Sequence, residues 1–308
     1  MINRNLIRIK IVQLMYSYYQ NGGKNLDTAE KELLFSLSKA YDLYHYLLIL
    51  MIDETRFAFE ILEQKEQVNR VAHKEEVISH RFVDNKFVAQ LEANKQLRDF
   101  RENKKWSWRD ERTYLKSLYE KIQEADYFQA YMAAEENDYD ADKEVWRKIY
   151  KNIIMKDEQI DDILEEQSLY WNDDKEIVDT FVLKTIKRFD PAKGEEQELL
   201  PEFKDIEDRE FATRLFRRSI TNDEYYRDLI AQSVRNWEFN RLAFMDVIIM
   251  QVAVAEILSF PQIPTSVTIN EYVEIAKYYS TSKSAGYVNG IIDNIARRLK
   301  HENKISKE

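Results

Sequence analysis

A short run of basic residues near the amino terminus is the first place where this sequence could bind an anion. Arg4, Arg8 and Lys10 occur with no acidic residue before Asp27. An arginine can hold a phosphate through two N–H donors at once, so the run is suited to RNA. The helix dipole disfavours cations at a helix start, so helix stability alone does not explain them. The residues alone leave open whether the run is an RNA site or a solvated basic face. In either case we expect the Arg4 and Arg8 side chains to lie outside the core.

A second basic run lies in the middle of the chain and interleaves cations with aromatic rings. The stretch ENKKWSWRDER contains Lys104, Lys105, Trp106, Trp108, Arg109 and Arg112. Cations beside flat rings are typical of single-stranded nucleic-acid sites, where bases stack on aromatic side chains. Tryptophans in a helical segment more often pack against neighbouring residues. The run therefore indicates either a second RNA contact or part of a core.

Recognisable patterns for catalysis or metal binding are absent from the sequence. It contains no G-x-S-x-G, Walker loop, dinucleotide-binding glycine string or HExxH. The 4 histidines include no His-x-x-x-His pair, and the lack of cysteine removes thiolate ligands. We interpret His45 as a partly buried or interfacial histidine. The acidic runs EENDYDAD and KDEQIDDILEE lack the glycine spacing of an EF-hand. We predict no catalytic residue, no metal site and no cofactor, and hence no enzyme.

The balance of residue types indicates a soluble helical protein. Of the 308 residues, 44% are hydrophobic and 33% are charged, which permits a substantial core. Only 5 glycines and 4 prolines interrupt the chain, so we predict an all-α fold with long helices. A formal net charge of -10 argues against coating nucleic acid by bulk attraction, so any RNA site must be local. The chain starts without a secretory signal, and no apolar run could span a bilayer, which predicts a cytoplasmic protein without a membrane partner.

Helical spacing of apolar residues places the amino-terminal basic run on the first of several helices. The stripe that should face the core consists of Ile7, Ile11, Leu14, Met15 and Tyr18. Gly22 and Gly23 end this helix, and a long second helix is predicted to reach about Leu62. Between about residues 64 and 204, apolar residues keep helical spacing among charges, which indicates a further set of helices.

The most regular stretch of the sequence runs from Asp246 to Leu299. Its first part, DVIIMQVAVAEILSF, is apolar on nearly every side and predicts a helix enclosed by others. Thr268 followed by Glu271 has the spacing of a capping box, so we expect the next helix to begin near Ile269. After a polar turn, apolar residues at helical spacing predict a last helix.

Two strings in this stretch, TINEYVEIAK and GYVNGIIDNIARRL, resemble the carboxyl-terminal signature of the NusB family of transcription antitermination proteins. In that family an N-E-x-x-E-x-A-K helix is followed by an F-V-N-G-x-x-D-x-x-A-R helix. The amino-terminal residues Val12, Gln13, Leu14, Met15 and Tyr16 resemble the first-helix pattern V-Q-x-L-Y. The resemblance implies a NusB-like bundle of two packed helical subdomains. Residues 1–62 and 205–308 would form the family part, able to fold by itself, and residues 63–204 would be a large helical insertion.

The resemblance also implies a bacterial RNA-binding factor that regulates transcription termination on ribosomal RNA operons. It would bind boxA-type single-stranded RNA together with ribosomal protein NusE, as part of the RNA polymerase antitermination complex. The residues implied to contact RNA are Arg4, Arg8, Lys10, Gln13 and Tyr16. The residues implied at the partner surface are Tyr279, Lys283 and Tyr287. Tyr279 and Tyr287 replace family phenylalanines, and Lys283 stands where the family commonly has an acid.

Two other functions stay open. A helical adaptor could have kept the fold and exchanged RNA for a protein partner, with the insertion as its docking surface. Net acidity favours this alternative, as do Asn5 and Leu6, which stand where the family typically has a denser arginine cluster. The carboxyl-terminal signature and the basic first helix oppose it. NusB-like domains also precede ribosomal RNA cytosine methyltransferases, but we expect no catalytic domain after Glu308.

Overall fold

The computed structural model describes residues 1–23, 25–135, 138–171, 173–234, 242–281 and 283–306. Within these ranges the chain is helical, with an isolated parallel bridge between Ile2 and Phe203 and no strand. The predicted all-α class is therefore confirmed. In the same ranges no helix is both long and apolar enough to cross a bilayer. The helices are α1 (Arg4–Gln20), α2 (Leu26–Val71), α3 (Lys86–Ala93), α4 (Lys95–Lys104), α5 (Arg112–Glu124), α6 (Asp126–Ala133), α7 (Tyr139–Asn152), α8 (Glu158–Gln167), α9 (Lys175–Arg188), α10 (Ile206–Thr221), α11 (Asp223–Ser233), α12 (Phe244–Ser259), α13 (Thr265–Tyr279) and α14 (Ser284–His301).

The chain divides into two compact units. The terminal unit comprises Ile2–Ser38 and Phe203–Glu308, and the middle unit comprises Met1 and Lys39–Glu202. Helix α2 contributes residues to both units, and it continues well past its predicted end near residue 62 because no glycine or proline interrupts it. It ends shortly before His73, whose backbone is left-handed with a φ of 51°. The division into residues 1–62, 63–204 and 205–308 stays a prediction.

Helix α12 is the buried centre of the terminal unit. It packs against α1, α10, α11, α13 and α14, which confirms the predicted enclosed helix. Four polar residues are nevertheless buried along it, Asp246, Gln251, Glu256 and Ser259. Gln251 donates hydrogen bonds to the backbone oxygen of Ser219 at 2.7 Å and to the hydroxyl of Tyr19 at 2.8 Å. A buried polar group without a partner destabilises a fold, so these bonds specify how α12 faces its neighbours.

The predicted capping box at the start of α13 is wrong. The helix begins at Thr265, directly after Pro264, and not near Ile269. Proline suits a helix start because the N–H that it lacks has no partner there within the helix. Thr268 is instead fully buried, and its hydroxyl donates to Glu256 at 2.8 Å. Its side chain therefore serves the core of the terminal unit.

The tryptophans of the ENKKWSWRDER run pack inside the middle unit. Trp108 is fully buried, and its indole N–H donates to the backbone oxygen of Tyr46 at 2.9 Å. Trp106 packs edge-on against Trp171, with 5.0 Å between ring centroids. These contacts favour the packing interpretation of both tryptophans. His45 is also buried in this unit, and burial lowers its pKa to about 4, so the ring is neutral at physiological pH.

Candidate nucleic-acid interface

Helix α1 begins where the sequence supplies a cap. The side-chain oxygen of Asn3 accepts a hydrogen bond from the backbone N–H of Leu6 at 2.9 Å, and this satisfies one of the donors that a helix start leaves free. The buried apolar residues of the helix are Leu6, Ile7, Ile11, Val12, Leu14 and Met15. Most of the predicted stripe is therefore confirmed, and it fixes which residues of α1 can face solvent.

Arg8 lies in the core of the terminal unit. Its side chain is 4% exposed, and its Nε and Nη2 atoms donate to the two carboxylate oxygens of Glu256 at 2.8 and 2.9 Å. The expectation that the Arg8 side chain lies outside the core is therefore wrong. The reason is that Glu256 is itself fully buried, and a buried carboxylate is stable only beside a cation and hydrogen-bond donors.

Glu256 accepts hydrogen bonds from three side chains and so joins α1, α12 and α13. Besides Arg8, the hydroxyls of Thr268 and Tyr272 donate to it at 2.8 and 3.0 Å. Burial lowers the pKa of Arg8, but the hydrogen bond to Glu256 and the surrounding charges outweigh this and leave that pKa above its ordinary value. Burial and the charge of Glu256 raise the pKa of Tyr272 well above 10.0. The arginine is thus charged and the tyrosine neutral at physiological pH.

Arg4 and Lys10, the other two cations of the amino-terminal run, differ in exposure. The Arg4 side chain is 33% exposed, and its Nε atom donates to Asp208 at 3.1 Å. Its guanidinium also lies 5.0 Å from the ring centroid of Phe211. Lys10 is only 3% exposed. Acidic residues that are distant in sequence therefore pair with both arginines of a run in which no acid precedes Asp27.

The solvent-facing side of α1 is largely uncharged. We call it the α1 face, and it consists of Asn5, Ile9, Gln13, Tyr16 and Gln20, which are exposed or half-buried at helical spacing. Tyr16 is 38% exposed, and its ring centroid lies 5.7 Å from that of Phe244. A partly exposed ring held by a neighbouring ring is suited to stack on an unpaired base.

The three predicted partner residues lie at the end of α13 and the start of α14. Tyr279 is half-buried, and its hydroxyl lies 3.5 Å from Nε2 of Gln13. Lys283 is exposed and directly precedes α14. Tyr287 is half-buried, with its hydroxyl 3.1 Å from Oγ of Ser284. The structure thus places a predicted RNA residue, Gln13, beside a predicted partner residue, Tyr279.

Ser284 anchors this turn, and the sequence analysis missed it. It is fully buried, and its hydroxyl donates to Oδ2 of Asp246 at 2.9 Å. Burial raises the pKa of Asp246 above its ordinary value, and hydrogen bonds from Ser280 and Ser284 offset only part of this effect. The available signal was the aspartate at the start of an apolar helix, because a buried carboxylate requires donors nearby.

A cleft of about 400 Å³ beside Arg4 adds a cation that the sequence analysis also missed. Arg214 lines this cleft, with its guanidinium 5.0 Å from the ring centroid of Phe260 and Nη2 donating to the backbone oxygen of Ser259 at 2.8 Å. The arginines of the α10 string TRLFRRS were a signal for it. Two acids also line the cleft, Glu207 and Glu210. The cleft therefore carries mixed charge rather than a dense basic patch.

Comparisons with known proteins agree with the carboxyl-terminal signature. The model of the NusB family matches residues 181–297. The chain is 33% identical to the transcription antitermination protein NusB of Salinibacter ruber over 41% of this chain and 82% of that protein. It is 37% identical to the transcription antitermination protein NusB of Geotalea daltonii over 43% of this chain and 89% of that protein. A solved structure of T. maritima NusB is 35% identical and covers 40% of this chain and 87% of its own, with a TM-score of 0.31. Because both sequence relatives are matched over most of their length, the chain belongs to the NusB family.

Proposed function

We propose that this protein is a non-enzymatic transcription antitermination factor of the cytoplasm that acts on ribosomal RNA operons. It would bind boxA-type single-stranded RNA together with ribosomal protein NusE, within the RNA polymerase antitermination complex. The observation that carries the proposal is the match to two transcription antitermination proteins over 82% and 89% of their lengths. The proximity of Gln13 to Tyr279 supports adjoining RNA and partner surfaces.

We assign the RNA contacts chiefly to the α1 face and to Arg4 beside it. Tyr16 would offer its ring to a base, Gln13 its amide to a base edge, and Arg4 its guanidinium to a phosphate. Arg8 and Lys10 stay predicted RNA contacts. Both side chains are buried in the structure, so we place the direct contacts on the other residues of α1.

Fluorescence anisotropy with labelled boxA-type RNA, with and without NusE, tests this proposal. Tyr16→Ala should weaken binding by about 1–3 kcal/mol if a base stacks on the ring. Arg4→Ala should weaken it and flatten the slope of log affinity against log salt by about 0.7, the contribution of one single-strand phosphate contact. The matched control is Arg297→Ala, which removes an arginine that is 80% exposed on α14. Equal effects of Arg4→Ala and Arg297→Ala would mean that overall charge, and not the α1 face, attracts the RNA.

The burial of Arg8 and Lys10 favours a second candidate, a helical adaptor that binds a protein without specific RNA. With these two side chains inside the core, α1 presents few cations to a phosphate backbone. The same anisotropy series separates the two candidates. An adaptor would bind NusE in a calorimetric titration, and adding NusE would produce no affinity for boxA-type RNA.

A further inference from the structure

A basic pocket of about 530 Å³ lies in the middle unit, and residues of the ENKKWSWRDER run form part of its lining. Residues from α2, α4 and the turn that leads into α5 line most of it. Its cations are Arg56, Arg98, Arg101, Lys105 and Arg109. Three acids also line it, so cations predominate locally in a chain whose net charge is -10. A local excess of cations in a recess concentrates anions there.

A buried carboxylate holds one of these arginines in place. Asp53 is 1% exposed and accepts hydrogen bonds from Arg101 at 2.5 Å, from the hydroxyl of Ser107 at 3.0 Å and from the backbone N–H of Trp108 at 2.8 Å. A guanidinium that is fixed at one edge loses little conformational freedom when its remaining donors bind a ligand. Arg101 is therefore preorganised for an anion.

The arginines of the basic pocket repel one another. Arg56 pairs with Glu92, and its pKa is lowered first by burial and then by the charges of Arg101 and Arg109. In the part of the chain that the structure describes, no carboxylate lies within ion-pair distance of Arg109. A bound anion would reduce the repulsion among the three guanidinium groups.

An apolar wall narrows the class of anion. Ile52, Leu97 and Trp106 line the basic pocket beside the cations, and Trp106 is held in place by ring contacts with Tyr46 and Trp171. A bare inorganic anion would gain nothing from this wall, whereas a flat base or a sugar would bury surface on it. The volume lies within the range of about 300–1,000 Å³ that is usual for small-ligand sites.

We propose that the basic pocket binds a nucleoside triphosphate, with the phosphates on Arg101, Lys105 and Arg109 and the base against the apolar wall. The site is independent of the RNA function proposed for α1. The same triphosphate group could come from a free nucleotide or from the 5′ end of a transcript, and the experiment separates these sources.

Isothermal titration calorimetry on the full chain tests the proposal with GTP, inorganic triphosphate and a short 5′-triphosphorylated RNA as probes. GTP should bind more tightly than inorganic triphosphate, because only GTP uses the apolar wall. Lys105→Ala with Arg109→Ala should weaken GTP binding about tenfold or more, since charge-assisted hydrogen bonds are lost. The control, Arg112→Ala with Lys116→Ala, removes the same charge from exposed positions of α5 outside the lining and should leave affinity unchanged.

A further variant uses the competition between Glu92 and the ligand for Arg56. Arg56 lines the basic pocket, so Glu92→Gln should tighten GTP binding by freeing this arginine to approach the phosphates, and unchanged or weaker binding would show that Arg56 does not contact the ligand. Arg109→Gln, which removes the charge but keeps a polar side chain, guards against misfolding, and all variants are compared by thermal melts. Binding of the triphosphorylated RNA alone, lost only in the pocket variants, supports the site and assigns its ligand to a transcript end. No binding of any probe, or an equal loss in the control, overturns the proposal.

Discussion

Arg8→Ala should destabilise the terminal unit strongly, although Arg8 belongs to a basic run that resembles a surface patch in the sequence. The arginine and its partner Glu256 have side chains that are 4% and 0% exposed. Removal of the cation would leave the carboxylate buried, with the hydroxyls of Thr268 and Tyr272 as its donors among the described residues. Breaking one side of a buried ion pair costs about 3–5 kcal/mol, because the remaining charge is uncompensated. The two surviving hydrogen bonds place our expectation at the lower end, about 3 kcal/mol.

The cost should depend on pH in the variant. Without Arg8, the carboxylate of Glu256 would be buried without a cation, and this costs stability only while the carboxylate carries its charge. The difference between the parent and Arg8→Ala should therefore be larger at pH 7 than at about pH 5.

Urea denaturation followed by circular dichroism measures this difference, with separate transitions fitted if the two units unfold independently. Arg4→Ala is the matched control, since its side chain is 33% exposed and pairs with Asp208 near the surface. It should cost no more than about 1 kcal/mol. A loss below about 1 kcal/mol in Arg8→Ala, or equal losses in both variants, would refute the assignment of Arg8 to a buried ion pair.

Three further predictions concern other parts of the chain. Glu54 is fully buried with no hydrogen-bond partner for either carboxylate oxygen among the described residues, and burial raises its pKa well above 4.5. Ionisation of Glu54 therefore costs stability as pH rises from 4.5. In urea denaturation, the free energy of unfolding of Glu54→Gln should be higher than that of the parent at neutral pH and equal to it near pH 4. A difference that does not depend on pH would contradict this. Lys283→Asp should change affinity for NusE in calorimetry more than it changes the melting temperature, because Lys283 is exposed and an acid suits the start of α14. A large loss of stability with unchanged affinity would oppose it. A chain that joins residues 1–38 to 203–308 through a Gly-Ser linker should unfold cooperatively, since these residues form the terminal unit, and a gradual melt would show that the middle unit supplies part of its core.

The helical class could be predicted because its signals are local. The scarcity of glycine and proline follows from composition alone. The apolar stripe of α1 and the all-round apolar α12 depend on spacing within one helix, and the structure contains both. The α1 stripe also predicted correctly which side of the helix is buried. The ends of helices were harder to predict. Helix α2 continues to Val71, shortly before the left-handed residue His73, and α13 starts at Thr265, directly after Pro264.

The charged residues of the candidate site could not be placed from the sequence. Arg8 is buried because it pairs with Glu256. The two residues are 248 positions apart in the chain, so no local pattern relates them. Thr268 has capping-box spacing, yet its hydroxyl donates a hydrogen bond to the carboxylate of Glu256 instead of capping α13. Whether a cation faces water depends on which distant acids approach it, and spacing along a helix carries no information about that.

The role of Arg8 in RNA binding can be separated from its role in stability. If Arg8 only holds α1 against α12 and α13, Arg8→Ala should weaken RNA binding by loosening the helix that carries Gln13 and Tyr16. In that case the variant loses no phosphate contact, and the number of counterions released from the RNA does not change. The slope of log affinity against log salt should therefore stay the same. If Arg8 instead contacts a phosphate, the slope should flatten by about 0.7. Because the side chain is 4% exposed and both carboxylate oxygens of Glu256 are bonded to it, we expect a loss of affinity with an unchanged slope. A flattened slope in anisotropy titrations at several salt concentrations would show that Arg8 leaves Glu256 when RNA binds.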